Sequence, residues 1–237
     1  MNHSADINEN IAKINRRISL ALVKSSDLFR QVKLIAVSKT FPVKRIKDAM
    51  VAGLFRFGEN RVQELVSKHG QLKGEEIEWH FIGHLQTNKV KKLLEVQTKY
   101  IHSVDRLELA IEIDRQLQKR GELREVLVEV NTSGEPSKSG AQLEKAIPLI
   151  REIAKLDTIK NKGLMTIGAL SEDNDVIRMC FVKLREIFVK VRDEGIDKVE
   201  MVELSMGMSG DFEIAIEEGA TMIRIGTAIF GERKVQV

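Results

Sequence analysis

Lys39 is the residue of this sequence that is most easily connected with covalent chemistry. It follows residues 34–37 (Leu-Ile-Ala-Val), a run that is apolar at every position, as in a strand buried on both faces of a parallel sheet. A lysine at the mouth of a hydrophobic core tends to lose its proton, because a charged amine is costly to desolvate. The neutral amine is a nucleophile toward carbonyl groups. An ordinary solvated lysine is the alternative, unless the chain also provides groups for an anionic carbonyl ligand.

Arg224 is the second residue that calls for a partner. Alternation along the apolar run 222–226 places Met222, Arg224 and Gly226 on one face, opposite Ile223 and Ile225. A guanidinium group does not readily lose its charge, so burial requires an acceptor beside it. The sequence leaves two acceptors open, which are a carboxylate such as Glu203 and a bound ligand.

Two loops contain residues that are suited to binding an anion. Ser209 stands where a helix N-cap is expected, and free amides at a helix start attract negative charge. Asp211 follows in the same turn and could satisfy those amides itself. Gly226 and Thr227 come directly after the last apolar run and offer an amide and a hydroxyl donor to a phosphate.

Alternating strand and helix patterns run through the whole chain. Eight strands are predicted at residues 33–38, 54–57, 78–82, 100–104, 125–130, 162–167, 199–204 and 222–225. An amphipathic helix at 7–24 precedes them, and Asp105 is predicted to cap the helix after the fourth strand. We expect an α/β fold, a closed (β/α)8 TIM-type barrel with an extra N-terminal helix, as one domain over residues 1–237. The alternative, an open doubly wound sheet, lacks a Gly-x-Gly-x-x-Gly sequence after the first strand.

Composition narrows the functional classes. Lys and Arg number 38 against 35 for Asp and Glu, a balance that predicts neither a nucleic-acid nor a membrane partner. Cys180 is the single cysteine, so no disulfide framework or cysteine-based zinc site is expected, and no metal site is predicted. The first thirty residues lack the apolar segment of a signal peptide. We therefore expect a cytoplasmic protein, and a monomer.

Five motifs, taken in order, resemble those of the pyridoxal phosphate homeostasis proteins of the YggS/PROSC type. They are residues 37–40 (Val-Ser-Lys-Thr), 57–60 (Phe-Gly-Glu-Asn), 80–89 (His-Phe-Ile-Gly-His-Leu-Gln-Thr-Asn-Lys), 205–211 (Ser-Met-Gly-Met-Ser-Gly-Asp) and 224–227 (Arg-Ile-Gly-Thr). That family is similar to the barrel domain of alanine racemases and binds pyridoxal 5'-phosphate (PLP). The resemblance therefore implies the barrel fold and PLP as the cofactor.

The resemblance also implies roles for individual residues. Lys39 would hold PLP as an internal aldimine, and Arg224 would face the pyridine nitrogen. The phosphate would be held by three residues of the two loops described above, Ser209, Gly226 and Thr227, and Asn60 would lie beside the ring. Position in the predicted barrel, rather than the resemblance, adds Met165 at the end of the sixth strand to the pocket.

The expected function is PLP binding and a contribution to intracellular PLP (vitamin B6) homeostasis, without efficient amino-acid turnover and with PLP-dependent apoenzymes as acceptors. A cation at the pyridine nitrogen weakens the ring as an electron sink. Racemases of the related fold use a tyrosine from a second domain, whereas no residues remain for such a domain here and Tyr100 is the single tyrosine. A PLP-dependent racemase or lyase is the alternative, and a barrel aldolase that uses Lys39 without a cofactor is a third possibility.

The segment 131–140 follows the fifth predicted strand on the functional side of the barrel. It is polar and contains Lys138 between Gly134 and Gly140. Our hypothesis is that this loop is a mobile lid and that Lys138 engages PLP in transit.

Overall fold

Eight parallel strands close into a barrel in the order of the chain, β1 to β8, with β8 pairing back onto β1. The computed structural model describes residues 3–25, 27 and 29–232. The strands are Lys33–Val37 (β1), Arg56–Glu59 (β2), Glu78–Phe81 (β3), Thr98–Val104 (β4), Arg124–Glu129 (β5), Ile159–Met165 (β6), Val199–Ser205 (β7) and Met222–Ile225 (β8). The predicted (β/α)8 barrel is confirmed.

Helices alternate with these strands. They are His3–Lys24 (α1), Val43–Val51 (α2), Val62–Gln71 (α3), Val90–Leu93 (α4), Leu107–Gln118 (α5), Leu143–Ile153 (α6), Asn174–Glu194 (α7), Phe212–Glu217 (α8) and Thr227–Phe230 (α9). Helix α1 is the predicted extra element, and it buries Ile7, Ile14 and Ala21 where it packs against α2, α8 and α9. Among the described helices, none is long and apolar enough to cross a membrane.

Several expectations about local structure were wrong in detail, including β2, which lies at Arg56–Glu59 rather than at 54–57. Asp105 does not cap α5, because the N-cap is Arg106 and the Asp105 carboxylate instead accepts a hydrogen bond from the Arg106 guanidinium at 2.5 Å. Strand β6 begins at Ile159, three residues before its predicted start. The polar residues around Asn161 concealed this start, and the register with β7 shifts between Asn161 and Gly163.

The barrel has an outer and an inner set of buried side chains. The outer set, between strands and helices, includes Ile223 and Ile225, whereas the inner cluster consists of Ile35, Tyr100, Leu127, Met165 and Met222. This division confirms the alternation predicted for β8, with Met222 inside. Arg224, two residues further along the same strand, therefore also points into the barrel.

Candidate functional site

Lys39 lies two residues beyond the end of β1, at the carboxyl-terminal rim of the barrel, and is half-buried. The chain turns sharply there, because the Phe41 amide donates to the Ser38 carbonyl at 3.0 Å and Thr40 has a φ of 67°. A positive φ is uncommon for a residue with a side chain and needs support from its surroundings. Glu64 provides this support, since its carboxylate accepts a hydrogen bond from the Thr40 amide at 2.6 Å. The direction of Lys39 is thus set by a turn that is fixed on both sides.

A buried lysine, Lys68 of α3, connects this turn to β2. Its ammonium group donates to the Ser38 carbonyl at 2.7 Å, to Glu59 Oε1 at 2.6 Å and to Glu64 Oε1 at 2.7 Å. Burial raises the pKa of the Glu59 carboxyl, an effect that the nearby Lys68 charge and the 2.6 Å hydrogen bond from Ser38 Oγ oppose. Because the three acceptors lie on three different segments, Lys68 holds the Lys39 turn, β2 and α3 in fixed relation.

Arg224 is buried inside the barrel, with 4% of its surface exposed. Within the described residues its guanidinium donates from Nη1 to Ser205 Oγ at 2.7 Å and from Nη2 to the Thr166 carbonyl at 2.8 Å. Burial lowers its pKa to about 10, so the group remains a cation at neutral pH. Glu203, the carboxylate considered as an acceptor, instead binds Lys33 and the Thr221 hydroxyl. The Asp211 and Glu129 charges act on Arg224 through space and oppose the lowering of its pKa, and its remaining N–H groups are donors that a ligand at the rim could use.

Asn60 follows β2 and presents an amide to the same rim. Its Oδ1 is buried and, among the described residues, has no hydrogen-bond partner. An orphaned buried acceptor of this kind marks a place where a ligand or water belongs. Gly83 makes the arrangement possible, because a Cβ at that position would lie 2.1 Å from the Asn60 carbonyl oxygen.

The β7–α8 loop contains Ser209 but is not built as the sequence predicted. The N-cap of α8 is Asp211 rather than Ser209, and the Asp211 carboxylate accepts the Met208 amide at 2.5 Å. The expectation was wrong because Asp211, placed later in the turn, folds back on its own loop. Gly207 has a φ of 92°, and a Cβ there would lie 2.6 Å from Ala215 Cβ, so this loop requires glycine. Ser209 is left half-buried on the rim.

Gly226 and Thr227 lie beside the Lys39 segment because β8 pairs with β1. Ala36 is in register with Ile225, and a Cβ on Gly226 would lie 3.4 Å from the Val37 carbonyl oxygen. The Arg224 amide donates to the Gly207 carbonyl at 3.0 Å, which ties the two glycine-containing loops together. Pairing of the first and last strands thus unites these loops with Lys39.

Met165 ends β6 and is 1% exposed, within the inner cluster. Its neighbour Thr166 is the residue whose carbonyl accepts from Arg224. The predicted site residues therefore occupy one end of the barrel. Met165 is buried in the barrel interior just below this end, whereas Asn60 and Ser209 lie on the rim.

Sequence reasoning missed a line of polar side chains that crosses the barrel interior. Ser205 Oγ is 3.0 Å from His102 Nδ1, His102 Nε2 is 2.9 Å from His80 Nδ1, and His80 Nε2 is 3.0 Å from Glu78 Oε1. Both imidazoles and Ser205 are inaccessible to solvent. The alternation of side chains along each strand could have predicted that these residues face the barrel interior. The contact between His102 of β4 and Ser205 of β7, however, depends on the closed barrel.

Glu129 was also missed. It ends β5, in register with Met165, and is 2% exposed. Burial raises its pKa to about 7, the Asp105 charge adds to this, and the Arg224 charge opposes it. A carboxyl group that is partly protonated near neutral pH therefore lies at the same end of the barrel as Lys39 and Arg224.

We expect the change Glu129→Gln to alter how stability depends on pH. With a folded pKa of about 7 against an ordinary 4.5, the carboxyl stabilises the folded state most at low pH, and that stability is lost as pH rises through this window. Glutamine should therefore increase the free energy of unfolding at about pH 8 by up to ~3 kcal/mol, with little change at about pH 4.

Urea unfolding at both pH values would measure this effect. Glu144→Gln, on the exposed surface of α6, is the matched control and should leave the pH dependence unchanged. If both variants follow the pH dependence of the parent protein, Glu129 does not carry the proposed proton.

The 131–140 loop is anchored in this structure by several contacts. Lys138 Nζ donates to Glu135 Oε1 at 2.6 Å and to the Gly168 carbonyl at 2.9 Å, and Ser139 Oγ lies 3.3 Å from His84 Nδ1. These contacts place Lys138 between its own loop and the β6–α7 segment. Its engagement of a ligand in transit stays a prediction.

Comparison with known proteins identifies the family and the fold of the chain. A family model described as the alanine racemase N-terminal domain matches residues 4–234. The chain is 44% identical over 226 residues to the pyridoxal phosphate homeostasis protein of Aquifex aeolicus, covering 95% of this chain and 98% of that protein.

Two solved structures are also similar. An unknown protein from Bifidobacterium adolescentis has a TM-score of 0.91 at 40% identity, covering 96% of each chain. PipY of Synechococcus elongatus, solved with PLP bound, has a TM-score of 0.83 at 34% identity, covering 95% of this chain and 100% of its own.

Proposed function

Because this chain belongs to the pyridoxal phosphate homeostasis family, whose barrel is of the alanine racemase N-terminal type, we propose that it binds PLP at the carboxyl ends of its strands and contributes to intracellular PLP homeostasis. One observation carries the proposal. The two strands that close the barrel bring an amine, Lys39, to the same rim as a buried cation, Arg224, whose charge no described carboxylate pairs within salt-bridge distance.

The residues present fit PLP chemically. The cofactor has an aldehyde, a ring nitrogen that accepts a hydrogen bond, a ring hydroxyl and a dianionic phosphate. Lys39 has an amine that can react with the aldehyde. Arg224 has N–H groups beyond the two that donate to Ser205 and Thr166, and these can donate to the ring nitrogen. The orphaned Asn60 Oδ1 is a polar atom in need of a partner at this rim, as a bound ligand would provide.

The proposed roles follow from these positions. PLP would supply a reactive aldehyde, and Lys39 would hold it reversibly through its side-chain amine. The same residue would thus serve both storage and release. Ser209, Gly226 and Thr227 would provide the phosphate donors, Met165 would pack under the ring, and Asn60 would lie at its edge.

The protein is proposed to store PLP rather than to turn over amino acids. A guanidinium at the ring nitrogen disfavours protonation of that nitrogen, which limits stabilisation of a carbanion. Tyr100 supports the same conclusion, because its hydroxyl lies 3.3 Å from Glu203 inside the barrel and burial raises its pKa further above its ordinary value. It is therefore poorly placed and poorly suited to act as the second base of a racemase.

We also propose that this storage takes place in the cytoplasm, by a monomer that passes PLP to PLP-dependent apoenzymes. The support is chemical. Free PLP is an aldehyde that reacts with exposed amines, and a reversible link inside a barrel protects it while keeping it available. The near balance of acidic and basic residues favours neither nucleic acid nor a charged membrane surface as a partner.

Borohydride trapping tests the proposal. The purified protein is incubated with PLP and reduced, and peptide mass spectrometry should find the phosphopyridoxyl mass on Lys39. Trapping on other lysines only, or no trapping, would contradict the proposed site. A screen of amino acids with the loaded protein then separates storage from catalysis, because racemase or lyase activity at ordinary enzymatic rates would favour the catalytic alternative. A protein that binds no PLP would favour an aldolase.

A further inference from the structure

The buried pair His80 and His102 lies in an interior line of polar groups that begins at Arg224. The line passes through Ser205, His102 and His80 and ends at Glu78, near the amino-terminal end of the barrel. Glu78 is partly exposed and also accepts from Arg56 Nε at 2.9 Å. A cation therefore lies at one end of the line and an anion at the other, with two imidazoles between them.

The two ends of this line determine the direction of its hydrogen bonds. Arginine has only donors, so Ser205 Oγ must accept from Nη1. A hydroxyl keeps a second lone pair and its proton, so this contact alone does not fix the direction of the 3.0 Å bond to His102 Nδ1. The Glu78 end does, because a carboxylate only accepts and His80 Nε2 must therefore donate to it at 3.0 Å.

The same reasoning continues along the line for two neutral rings. His80 carries its proton on Nε2, so its Nδ1 accepts from His102 Nε2–H at 2.9 Å. His102 Nδ1 is then the acceptor of the Ser205 hydroxyl proton. All donors thus point away from Arg224 and toward Glu78.

The electrostatics agree with two neutral rings. Burial lowers the pKa of His102 well below its ordinary value, repulsion from any charge on His80 would lower it further, and the Arg224 charge acts in the same direction. Burial also lowers the pKa of His80, against the opposing effect of Glu78. The hydrogen bond from His80 lowers the pKa of Glu78 to about 2, which keeps the end of the line anionic.

We infer that Ser205, His102 and His80 form a one-way relay of positioning residues that fixes the orientation of the Arg224 guanidinium. The inference rests on the proposed function, since the donors that Arg224 turns to the rim would meet the PLP ring nitrogen. Ser205 and the Thr166 carbonyl hold one N–H of each terminal nitrogen, which prevents rotation of the guanidinium plane. Because the Ser205 proton is committed to His102, the hydroxyl cannot rotate freely and its oxygen stays turned toward Arg224.

The first test measures the protonation of the two relay histidines in the absence of PLP. Long-range proton–nitrogen NMR of the unloaded protein should show His80 and His102 as neutral rings protonated on Nε2 at neutral pH. A ring protonated on Nδ1, or on both nitrogens, would overturn the inference. This result is independent of PLP binding, so it stands or falls separately from the proposed function.

The second test measures how loss of the Ser205 hydroxyl changes PLP binding. Ser205→Ala should weaken PLP binding about tenfold and shift the visible absorption band of the bound cofactor, whereas Ser205→Thr, which keeps the hydroxyl, should restore both. Ser103→Ala is the matched control, because Ser103 is a buried serine beside His102 that takes no part in the relay. Equal affinity and equal spectra for Ser205→Ala and Ser103→Ala would overturn the positioning role.

Discussion

Replacement of Lys39 with alanine is expected to abolish covalent retention of PLP. Lys39 is the amine that the Ser38–Thr40 turn directs to the rim, and alanine leaves no nucleophile at that position. Non-covalent binding through the proposed ring and phosphate contacts should remain, but the cofactor should dissociate on gel filtration. Intact-mass spectrometry after borohydride reduction measures the loss directly.

Lys44→Ala is the matched control for this experiment. Lys44 is an exposed lysine of α2, close in sequence to Lys39, and its removal should leave the adduct unchanged. Persistence of a stoichiometric adduct in the Lys39→Ala protein, for example on Lys138, would show that another amine holds the aldehyde. Thermal unfolding of both variants would show that each is folded.

Replacement of Lys68 with methionine is expected to cost about 3–5 kcal/mol in the free energy of unfolding. The change retains the apolar stem and removes the ammonium, which leaves the fully buried Glu59 without its cationic partner. The Ser38 carbonyl loses a donor in the same step, so the turn that holds Lys39 is loosened. Urea unfolding gives the energy, and the rate of borohydride trapping gives the effect on Lys39.

Two further variants make this prediction specific. Adding Glu59→Gln to Lys68→Met removes the stranded charge, and the double variant should be more stable than the sum of the single changes, with a coupling of about 0.5–3 kcal/mol. Lys73→Met removes an exposed lysine just beyond the same helix and should be close to neutral. If Lys68→Met is as mild as Lys73→Met, the buried cluster does not hold the turn.

The barrel was predictable because its signals are local. Apolar runs, helical periodicity and their alternation fix the number and order of strands, and a closed barrel places all strand ends at one rim. Lys39 and Arg224 could be chosen on that basis, since one follows β1 and the other lies within β8. Their assignment to PLP came from motif resemblance.

The missed features depend on contacts between distant segments. Lys68, four residues after Glu64, has the spacing of an ordinary exposed helix pair, and only packing of α3 against the ends of β1 and β2 reveals its burial. His102 and Ser205 meet across the interior, after irregular register in β4–β5 pairing has set which residues face inward. A residue pattern cannot supply such register information.

The pairing of β1 with β8 also affects when the site can exist. Lys39 is among the first parts of the barrel to leave the ribosome, and Arg224 and Thr227 are among the last. A nascent chain therefore has an amine but no assembled pocket, and premature capture of the aldehyde would lack the contacts that retain it. If PLP is held from both strands as proposed, it would fasten the seam between the two ends of the chain and stabilise the folded state by an amount that rises with the logarithm of its concentration above the dissociation constant. Cofactor supply would then help to determine the stability of each newly made barrel.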